Sequence, residues 1–262
     1  ANALREPAGR FFCDEGSGNV IRLVQGEGEK RRLLALCEKT PFGCKIASIA
    51  NSYGFDKSFA NFWLNTEEDV VYCLVDGAML LSGTVLQGDA SREFLHVVGA
   101  REVLCAVRNA EAMNLTPTQV GDVLKHTQEP GDLPKELPPS VNIREIYTLL
   151  EKAGMIGEIE PFYLDLSHKL RHNEALALTE RGPEGLRACA VVSSISQRGA
   201  ILSALAVREG MRRQGLGSRL VRRAESYFPG KMLYVFREQH KNKEFYKSLG
   251  FTKTDTWVHS LL

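Results

Sequence analysis

A basic, glycine-bearing segment near the C-terminus has the residue types of a phosphate site. Residues 207–218, VREGMRRQGLGS, follow an apolar stretch and lead into a stretch with apolar residues four apart. The first backbone amides of a helix lack partners within the helix and lie at the positive end of its dipole, so they bind anions. Gly215 and Gly217 lack side chains that would block a ligand, while Arg212 and Arg213 add positive charge. This segment is therefore a candidate site for a pyrophosphate group.

Two motifs in this half of the chain resemble those of a known enzyme family. Residues 212–217, RRQGLG, match the Q/R-x-x-G-x-G/A loop of the GNAT acetyltransferases, and Leu205, Ala206 and Val207 precede the loop as the family's strand does. Further along, residues 245–251, FYKSLGF, match the family's FYxxxGF segment. The resemblance covers roughly residues 140–262.

The resemblance implies where the cofactor acetyl-CoA would bind. Its pantetheine arm would lie in a mixed, splayed sheet, between the strand ending at Val207 and the strand starting near Met232, with the backbone of Leu205, Ala206 and Val207 binding the pantetheine amides and the thioester carbonyl. The pyrophosphate would be held by the amides of Arg212, Arg213, Gln214, Gly215, Leu216, Gly217 and Ser218. Gln239 and Asn242 complete the predicted cofactor site, although the family often has asparagine and alanine there.

Tyr246 is the predicted catalytic acid. The resemblance implies direct attack of an amine on the thioester, after which the leaving thiolate needs a proton. A phenol, whose ordinary pKa is about 10, donates such a proton when it lies within hydrogen-bond reach. The alternative is a tyrosine that only packs beside Phe245.

The general base is left unassigned. Many relatives carry a glutamate on the strand before the loop, but residues 201–205, ILSAL, contain no carboxylate. Glu158, Glu160 and Asp165 belong to the segment that usually lines the acceptor site, yet such residues are more often solvated or capping carboxylates. Another group or an ordered water is the remaining alternative.

Hydrophobic periodicity predicts the elements that position these residues. In the C-terminal half, helices are predicted at 143–153, 161–170, 216–227 and 241–248, and strands at 175–179, 186–193, 200–207, 232–236 and 251–260. In the N-terminal half, strands are predicted at 20–24, 70–75, 78–86 and 94–98, and helices at 29–37 and 101–113. The similar order of elements predicts a duplicated fold.

The N-terminal copy is predicted to be degenerate. Residues 95–102, LHVVGARE, stand where its phosphate loop is expected, and the glycine pair is missing. This half is therefore expected to have lost cofactor binding and to cover or shape the acceptor site of the other half. Phe55, Phe59, Phe62 and Trp63 would line such a site or, as is commoner for aromatic residues at helical spacing, pack in the core.

Length and composition fit a globular protein of two domains. A chain of 262 residues with 44% hydrophobic and 25% charged residues is neither disordered nor fibrous. Residues 128–140, QEPGDLPKELPPS, contain four prolines that disfavour helix and central strand. The predicted organisation is a degenerate GNAT-like domain at 1–130, a linker at 131–140 and a catalytic GNAT domain at 141–262.

Charge and cysteine content argue against several kinds of partner. The 33 basic and 32 acidic residues nearly balance, so no chain-wide charge indicates a nucleic-acid or membrane-surface binder. The six cysteines show no C-x-x-C pair or zinc spacing, so no metal is expected and the thiols are expected to be reduced and structural. The sequence has neither the pattern of a secretory leader nor an apolar run of about 20 residues, which predicts a cytoplasmic location.

The sequence thus predicts two tandem α/β GNAT domains, the second of which transfers the acetyl group of acetyl-CoA to a primary amine of a small molecule or peptide. Two alternatives stay open. In the first, the protein is a non-catalytic acyl-CoA sensor, which the missing strand glutamate favours. In the second, the enzyme transfers a longer acyl group or uses a different acceptor atom. The sequence does not identify the amine, and a monomer and a homodimer are both compatible with it.

Overall fold

The computed structural model describes residues 20–134, 138, 140–239 and 241–262. Cys13 and part of the predicted linker, residues 135–137 and 139, lie outside the described residues. The described linker residues 128–134 form neither helix nor strand, as their prolines and glycine predict.

The two halves of the chain contain the same series of elements. The first half contains β1 (Ile21–Leu23), α1 (Glu27–Cys37), α2 (Pro41–Tyr53), β2 (Ala60–Asn65), β3 (Val70–Val75), β4 (Ala78–Ser82), α3 (Gly88–Val97), β5 (Glu102–Ala106), α4 (Val107–Ala112) and β6 (Gln119–Thr127). The second contains α5 (Ile143–Lys152), α6 (Ile159–Arg171), β7 (Leu176–Gly182), β8 (Gly185–Ile195), β9 (Gly199–Val207), α7 (Leu216–Ser226), β10 (Met232–Glu238), α8 (Lys243–Ser248) and β11 (Thr252–Leu261). After β1, both halves follow the order ααβββαβαβ, which confirms the predicted duplication.

The described chain forms two compact units that exchange short segments. Unit 1 contains residues 20–46, 53–120 and 256–262, and unit 2 contains residues 47–52 and 121–255. The end of β6 therefore belongs to unit 2, and the end of β11 belongs to unit 1. The domain boundaries inferred from the proline-rich linker stay a prediction. A linker pattern carries no information on which strands pair.

Unit 1 is built on a mixed sheet. Strands β1 to β4 form three successive antiparallel pairs, each strand with the next in the chain. Strand β5 pairs in parallel with β4 and antiparallel with the end of β11. The core contains an aromatic group in which the ring of Phe94 lies 5.4 Å from that of Trp63 and 5.2 Å from that of Tyr72. Asp76 and Gly77, both with positive φ, form the two-residue turn of the hairpin that joins β3 and β4.

Several element predictions for unit 1 were wrong. The predicted strand 94–98 is mostly the end of α3, whose buried residues Gly88, Ser91, Phe94 and Leu95 recur at helical spacing. The predicted helix 101–113 is strand β5 followed by helix α4. Phe62 and Trp63 lie on strand β2 rather than on a helix, and the sequence analysis missed α2, β2 and β6.

Unit 2 places helices on both faces of its sheet. The strand order is β6-β10-β9-β8-β7, with β9 and β10 parallel and the other neighbours antiparallel. Along β8, Ala188 and Ala190 pack in a core with α7 and α8, whereas Cys189 and Val191 pack in a core with α5 and α6. Because side chains alternate along a strand, the two helix pairs cover opposite faces. All the predicted helices and strands of this half are present, with boundaries shifted by a few residues.

The expectations drawn from composition concern the cysteines, membrane spans and metal sites. The side chains of Cys37, Cys44, Cys73, Cys105 and Cys189 are buried, and none of them forms a disulfide bond within the described residues. No described helix is both long and apolar enough to span a membrane. The described histidines, cysteines and acidic residues form no group of three or more that could hold a metal ion.

Candidate functional site

Strands β9 and β10 separate at the centre of the candidate site. Their described pairing runs only from Gly199 with Met232 to Ile201 with Tyr234, although both strands continue beyond it. On the other side of β9, the register of its pairing with β8 shifts twice, because Ser203 of β9 and Ser193 of β8 have no opposite residue in that register. Their hydroxyl oxygens lie 2.6 Å apart. A bulge bends the bulged strand and increases its twist, so it accounts for the divergence of β9 from β10.

The chain between β9 and α7 has the geometry of an anion cradle. After a short 3-10 turn at Glu209–Met211, Arg213 and Gly215 take left-handed conformations with φ of 64° and 75°. Gly215 is the N-cap residue of α7, and no described side chain makes a capping hydrogen bond there. The first amides of α7 are therefore available to an anion, and the helix dipole favours negative charge at this end.

Hydrogen bonds with the neighbouring hairpin of β7 and β8 hold this loop in place. Arg208, the first residue of the loop, donates from Nη2 to the carbonyl oxygens of Leu186 at 2.7 Å and Glu184 at 3.2 Å. From the hairpin, Arg187 Nη2 donates to Gln214 Oε1 at 3.4 Å. The sequence analysis gave neither arginine a role, because only the folded structure places the hairpin beside the loop.

The predicted loop residues divide into an exposed and a buried group. Arg212, Arg213, Gln214 and Gly215 are exposed, whereas Leu216 and Gly217 are buried. A Cβ atom on Gly217 would lie 3.4 Å from the Phe245 ring and 3.7 Å from a methyl group of Val207. The structure thus brings the end of β9, the start of α7 and the start of α8 together.

The FYKSLGF segment forms the short helix α8 and its C-terminal cap. Gly250 has a φ of 90°, its amide donates to the Lys247 carbonyl at 3.0 Å, and the Phe251 amide donates to the Tyr246 carbonyl at 3.0 Å. These two bonds form a Schellman motif, which requires a left-handed residue such as glycine after the helix. The rings of Tyr246 and Phe251 lie 5.5 Å apart and supply the apolar contact of that motif. The cap therefore fixes the position of Tyr246.

Tyr246 is nearly buried, with 8% of its surface exposed. Burial raises the pKa of its phenol to about 12, although the positive charge of Arg237 acts in the opposite direction. The phenol therefore stays protonated at neutral pH, as a proton donor must. No described side chain makes a hydrogen bond with the phenol.

Gln239 and Asn242 lie on the segment between β10 and α8, and both are exposed. Asn242 is the N-cap residue of α8 with a φ of 55°, and its side chain makes no capping hydrogen bond within the described residues. Gln239 lines a cavity of about 500 Å³ beside α8. Its charged lining residues are Asp122, Arg237, Lys243, Lys247 and Lys253.

A buried ion pair forms one wall of this cavity. Arg237 pairs with Asp122 while both side chains are almost fully buried, and the Lys253 ammonium lies 2.8 Å from the other Asp122 oxygen. Burial alone would raise the pKa of Asp122, but the hydrogen bonds and positive charges of Lys253 and Arg237 lower it overall. Because one carboxylate faces four cationic residues, the cavity has an excess of positive charge that suits an anionic group.

The three candidate bases lie on or beside α6. Glu158 is its N-cap residue and Glu160 lies in its first turn, and both are exposed. Asp165 forms an ion pair with Lys169 at 3.0 Å. The Glu158 side chain makes no capping hydrogen bond, and the partner of Asp165 is the buried Lys169, so none of the three is singled out and the general base stays unassigned.

Comparison with known proteins identifies the fold and the family of the C-terminal part. Residues 143–251 match the family model described as Acetyltransferase (GNAT) family. A GCN5-related N-acetyltransferase from Sphaerobacter thermophilus is 13% identical with a TM-score of 0.58, over 91% of this chain and 93% of that one. A tandem GNAT protein from the clavulanic acid biosynthesis pathway is also 13% identical, with a TM-score of 0.53 over 91% and 96%. A Drosophila protein is 16% identical, with a TM-score of 0.57 over 94% and 99%.

A search of curated proteins found no significant match. The solved structures are too dissimilar in sequence to show more than the fold, which is that of tandem GNAT proteins. Residues 143–251 are a GNAT domain, and this family transfers acyl groups from acyl-CoA to an acceptor.

Proposed function

We propose that unit 2 transfers the acetyl group of acetyl-CoA to a primary amine of a small molecule or peptide, with Tyr246 as the general acid. One observation carries this proposal. The uncapped N-terminus of α7 follows the separated end of strand β9 through the loop at residues 208–215, and the ring of Phe245, the residue before Tyr246 on α8, lies close to Gly217 of α7. The arrangement combines a pyrophosphate cradle, a slot for an extended arm and a proton donor.

The slot suits pantetheine because the backbone of a strand is an amide-recognition surface. Beyond Ile201, the β10-facing edge of β9 has no described strand partner. Backbone amides and carbonyls along that edge, from Leu205 to Val207, would bond the two amide groups of pantetheine and hold the thioester carbonyl. The pyrophosphate would then lie on the amides from Arg212 to Ser218, close to the Arg212 and Arg213 charges.

The acceptor nitrogen loses two protons and the leaving thiolate gains one. The ammonium first loses a proton, and the free amine attacks the thioester carbon. As the C–S bond breaks, the nitrogen, which carries a positive charge after the attack, loses its second proton, and the leaving thiolate takes a proton from the Tyr246 phenol. An ordinary thiol has a pKa of about 8.5, lower than that of the phenol, so the tyrosinate left by this step is the stronger base and recovers its proton from the nitrogen in the same cycle.

A non-catalytic acyl-CoA sensor is the second candidate. The absence of a carboxylate from β9 favours it, since Ser203 and its partner Ser193 stand at the bulge instead. A sensor would bind acetyl-CoA without consuming it. The retained Tyr246 favours the enzyme, because binding alone does not require a proton donor at this junction.

The test is a calorimetric titration of the whole chain with acetyl-CoA, followed by thiol release with a panel of primary amines. The proposal expects saturable binding and release of free CoA that depends on one class of amine. Binding without release across amino acids, polyamines, amino sugars and peptides would favour the sensor. Titration with propionyl-CoA and longer acyl-CoAs tests whether acetyl is the preferred group. The cytoplasmic location and the choice between monomer and homodimer stay predictions.

A further inference from the structure

Unit 1 contains a junction that corresponds to the cradle of unit 2. In the repeated order of elements, the turn between β4 and α3 takes the place of the loop between β9 and α7. This corrects the sequence analysis, which placed the lost phosphate loop at residues 95–102. Those residues form the end of α3 and the turn into β5.

The amides at this junction already bind a carboxylate from the same unit. The Gln87 amide donates to Glu68 Oε1 at 3.0 Å, and the Leu86 amide donates to Glu68 Oε2 at 3.2 Å. Gln87 is the N-cap residue of α3, so the two carboxylate oxygens lie where a phosphate would contact a helix start. A carboxylate offers the same negative, hydrogen-bond-accepting oxygens as a phosphate.

The charge of the junction also disfavours a pyrophosphate. Residues 83–87, GTVLQ, contain no basic residue, and Asp89 lies in the first turn of α3. The loop of unit 2 has Arg208, Arg212 and Arg213 instead. A polyanion approaching unit 1 would meet the charges of Glu68 and Asp89.

The space for a pantetheine arm is bridged as well. The described pairing of β4 with β5 ends at Leu80 with Leu104, and α4 begins immediately after β5. Asn109 on α4 accepts a hydrogen bond from the Val85 amide at 3.1 Å and donates one to the Gly83 carbonyl at 3.1 Å. With 1% of its surface exposed, Asn109 links the two sides of the gap that stays open in unit 2.

The helix start itself is packed against backbone. A Cβ atom on Gly88, the first residue of α3, would lie 1.7 Å from the Ala112 carbonyl oxygen at the end of α4. In unit 2, Gly217, the second residue of α7, has the Phe245 side chain as its nearest neighbour, at 3.4 Å from the Cβ position, and a side-chain rotation relieves that contact. The start of α3 therefore lies directly against the backbone of α4, with no space between them for a ligand.

The residue that corresponds to the proposed acid is also absent. Helix α4 ends in the same Schellman arrangement as α8, with the Leu115 amide donating to the Ala110 carbonyl at 2.9 Å and Asn114 in the left-handed conformation. By the position of this cap, Ala110 corresponds to Tyr246. Unit 1 thus kept the backbone of the motif without its phenol.

We infer that Glu68 occupies the pyrophosphate position of unit 1 as an internal anion, and that Asn109 closes its pantetheine slot, so each chain binds a single acyl-CoA in unit 2. The inference rests on the proposed function for the location of the bound cofactor. Its Glu68 component is independent of that function, because it concerns amides and an anion within unit 1.

Stoichiometry provides the first test. Titration of the whole chain with acetyl-CoA is expected to give one site, and the double variant Gly215→Val, Gly217→Leu is expected to give none. Two sites in the wild-type chain, or one site kept by the double variant, would overturn the inference. No binding to the wild-type chain would contradict the proposed function instead, and the Glu68 test below would still decide the internal-anion component.

Amide hydrogen exchange of Glu68→Ala provides the second test, with Glu67→Ala as its matched control. Glu67 is the exposed neighbour, and its side chain makes no described contact with α3. Exchange at Leu86 and Gln87 is expected to be at least about tenfold faster in Glu68→Ala, because each amide loses a charge-assisted bond. Inorganic pyrophosphate or sulfate should then slow this exchange in Glu68→Ala, and neither should affect the wild type or Glu67→Ala.

Three outcomes separate the internal anion from a simple helix cap. Recovery of protection by added anion supports a cradle that Glu68 fills. Faster exchange that no anion slows would show that Glu68 only caps α3, and would overturn the internal-anion component. Unchanged exchange at Leu86 and Gln87 would show that the contact is not populated in solution, with the same consequence.

Discussion

The junctions between β4 and α3 and between β9 and α7 occupy the same position in two copies of one order of elements. In unit 2, a loop with left-handed Arg213 and Gly215 leads to an uncapped helix, and the adjacent strands have separated. In unit 1, Glu68 binds the junction amides and Asn109 bridges the gap. The same backbone topology is therefore compatible with an open site and with a closed one, and a few side chains decide between them.

In the interpretation proposed above, unit 1 is a duplicated domain that lost a ligand without losing its fold. An uncapped helix N-terminus leaves donors without partners, which costs stability unless water or a ligand binds them. Glu68 supplies that partner permanently in unit 1. In unit 2, no described side chain makes a capping bond at the same position, and a site for a ligand that binds and dissociates must leave such a position open.

The largest expected effect separates Tyr246 from Tyr72, another buried tyrosine whose pKa is raised by burial. Tyr246→Phe should lower kcat by about 100-fold to 1,000-fold, the usual contribution of a general acid, and leave the Kd for acetyl-CoA unchanged. Steady-state kinetics and calorimetry measure the two quantities. Tyr72→Phe in unit 1 is the matched control. It removes the 2.8 Å bond to Ser91 and should cost about 1 kcal/mol of stability without changing kcat. Equal loss of kcat in both variants would contradict the assignment of Tyr246.

The second expected effect compares two glycines with the same backbone conformation. Gly215 and Gly99 both have a φ of 75°, at the start of α7 and after the end of α3. Gly215→Val combined with Gly217→Leu should weaken acetyl-CoA binding at least about 100-fold, because side chains block the amides and the contact with Phe245. Gly99→Val imposes the same left-handed strain in unit 1 and should leave the Kd unchanged. Calorimetry measures the Kd, and thermal unfolding measures the stability lost to backbone strain. Similar losses of binding in Gly99→Val and in the double variant would indicate a general effect of stability.

A smaller effect tests the charge of the two junctions. Replacing Arg212 and Arg213 together by alanine should weaken acetyl-CoA binding about tenfold at low salt and less at high salt, because exposed charges are screened. Arg92→Ala on the exposed side of α3 removes positive charge from unit 1 and is the control. Fluorescence or calorimetric titration at two salt concentrations measures the difference. A salt-independent Kd in the wild type would contradict a role for these arginines.

The smallest expected effect is an absence of alkaline inhibition. Since the pKa of Tyr246 is raised to about 12, its phenol should lose its proton only near that pH. The rate should therefore rise with pH as the amine substrate deprotonates and should show no descending limb below about pH 10. A kcat/KM profile with a stable amine measures this, and thermal unfolding at each pH excludes denaturation. A descending limb centred near pH 8 to 9 that persists in Tyr246→Phe would show that another group is the acid.

Unit 2 was predictable because its features are local. A glycine after a strand and before an amphipathic helix, and a Gly-Phe pair after a short helix, specify caps whose bonds lie within a few residues of each other. The loop, α7, α8 and the position of Tyr246 followed from those local rules. The contacts of Arg187 and Arg208 did not, since nothing local in the sequence indicates that the hairpin of β7 and β8 lies beside the loop.

Unit 1 was less predictable because its signals compete. Residues 94–98 form an apolar run that fits either a strand or a helix turn, and only burial at Ser91, Phe94 and Leu95 distinguishes them. In β5, Val103 and Cys105 are buried in the alternating pattern of a strand. Because helix-forming residues follow them, the predicted helix began too early in the chain and included β5. Strand β6 was missed because Asp122, Lys125 and His126 make it polar, whereas its partners bury it.

The sequence by itself determined the duplicated order of elements in outline, the basic, glycine-bearing loop between a strand and a helix at residues 207–218, and the placement of Tyr246 on a short helix. These follow from residues close together in the chain, whose conformational preferences act before any tertiary contact forms. Only the tertiary structure decided that Glu68 lies on the amides of Leu86 and Gln87, that Asn109 joins α4 to the turn between β4 and α3, and which unit each strand joins. Such contacts join residues far apart in the chain, and their formation depends on the packing of the whole unit rather than on any local pattern.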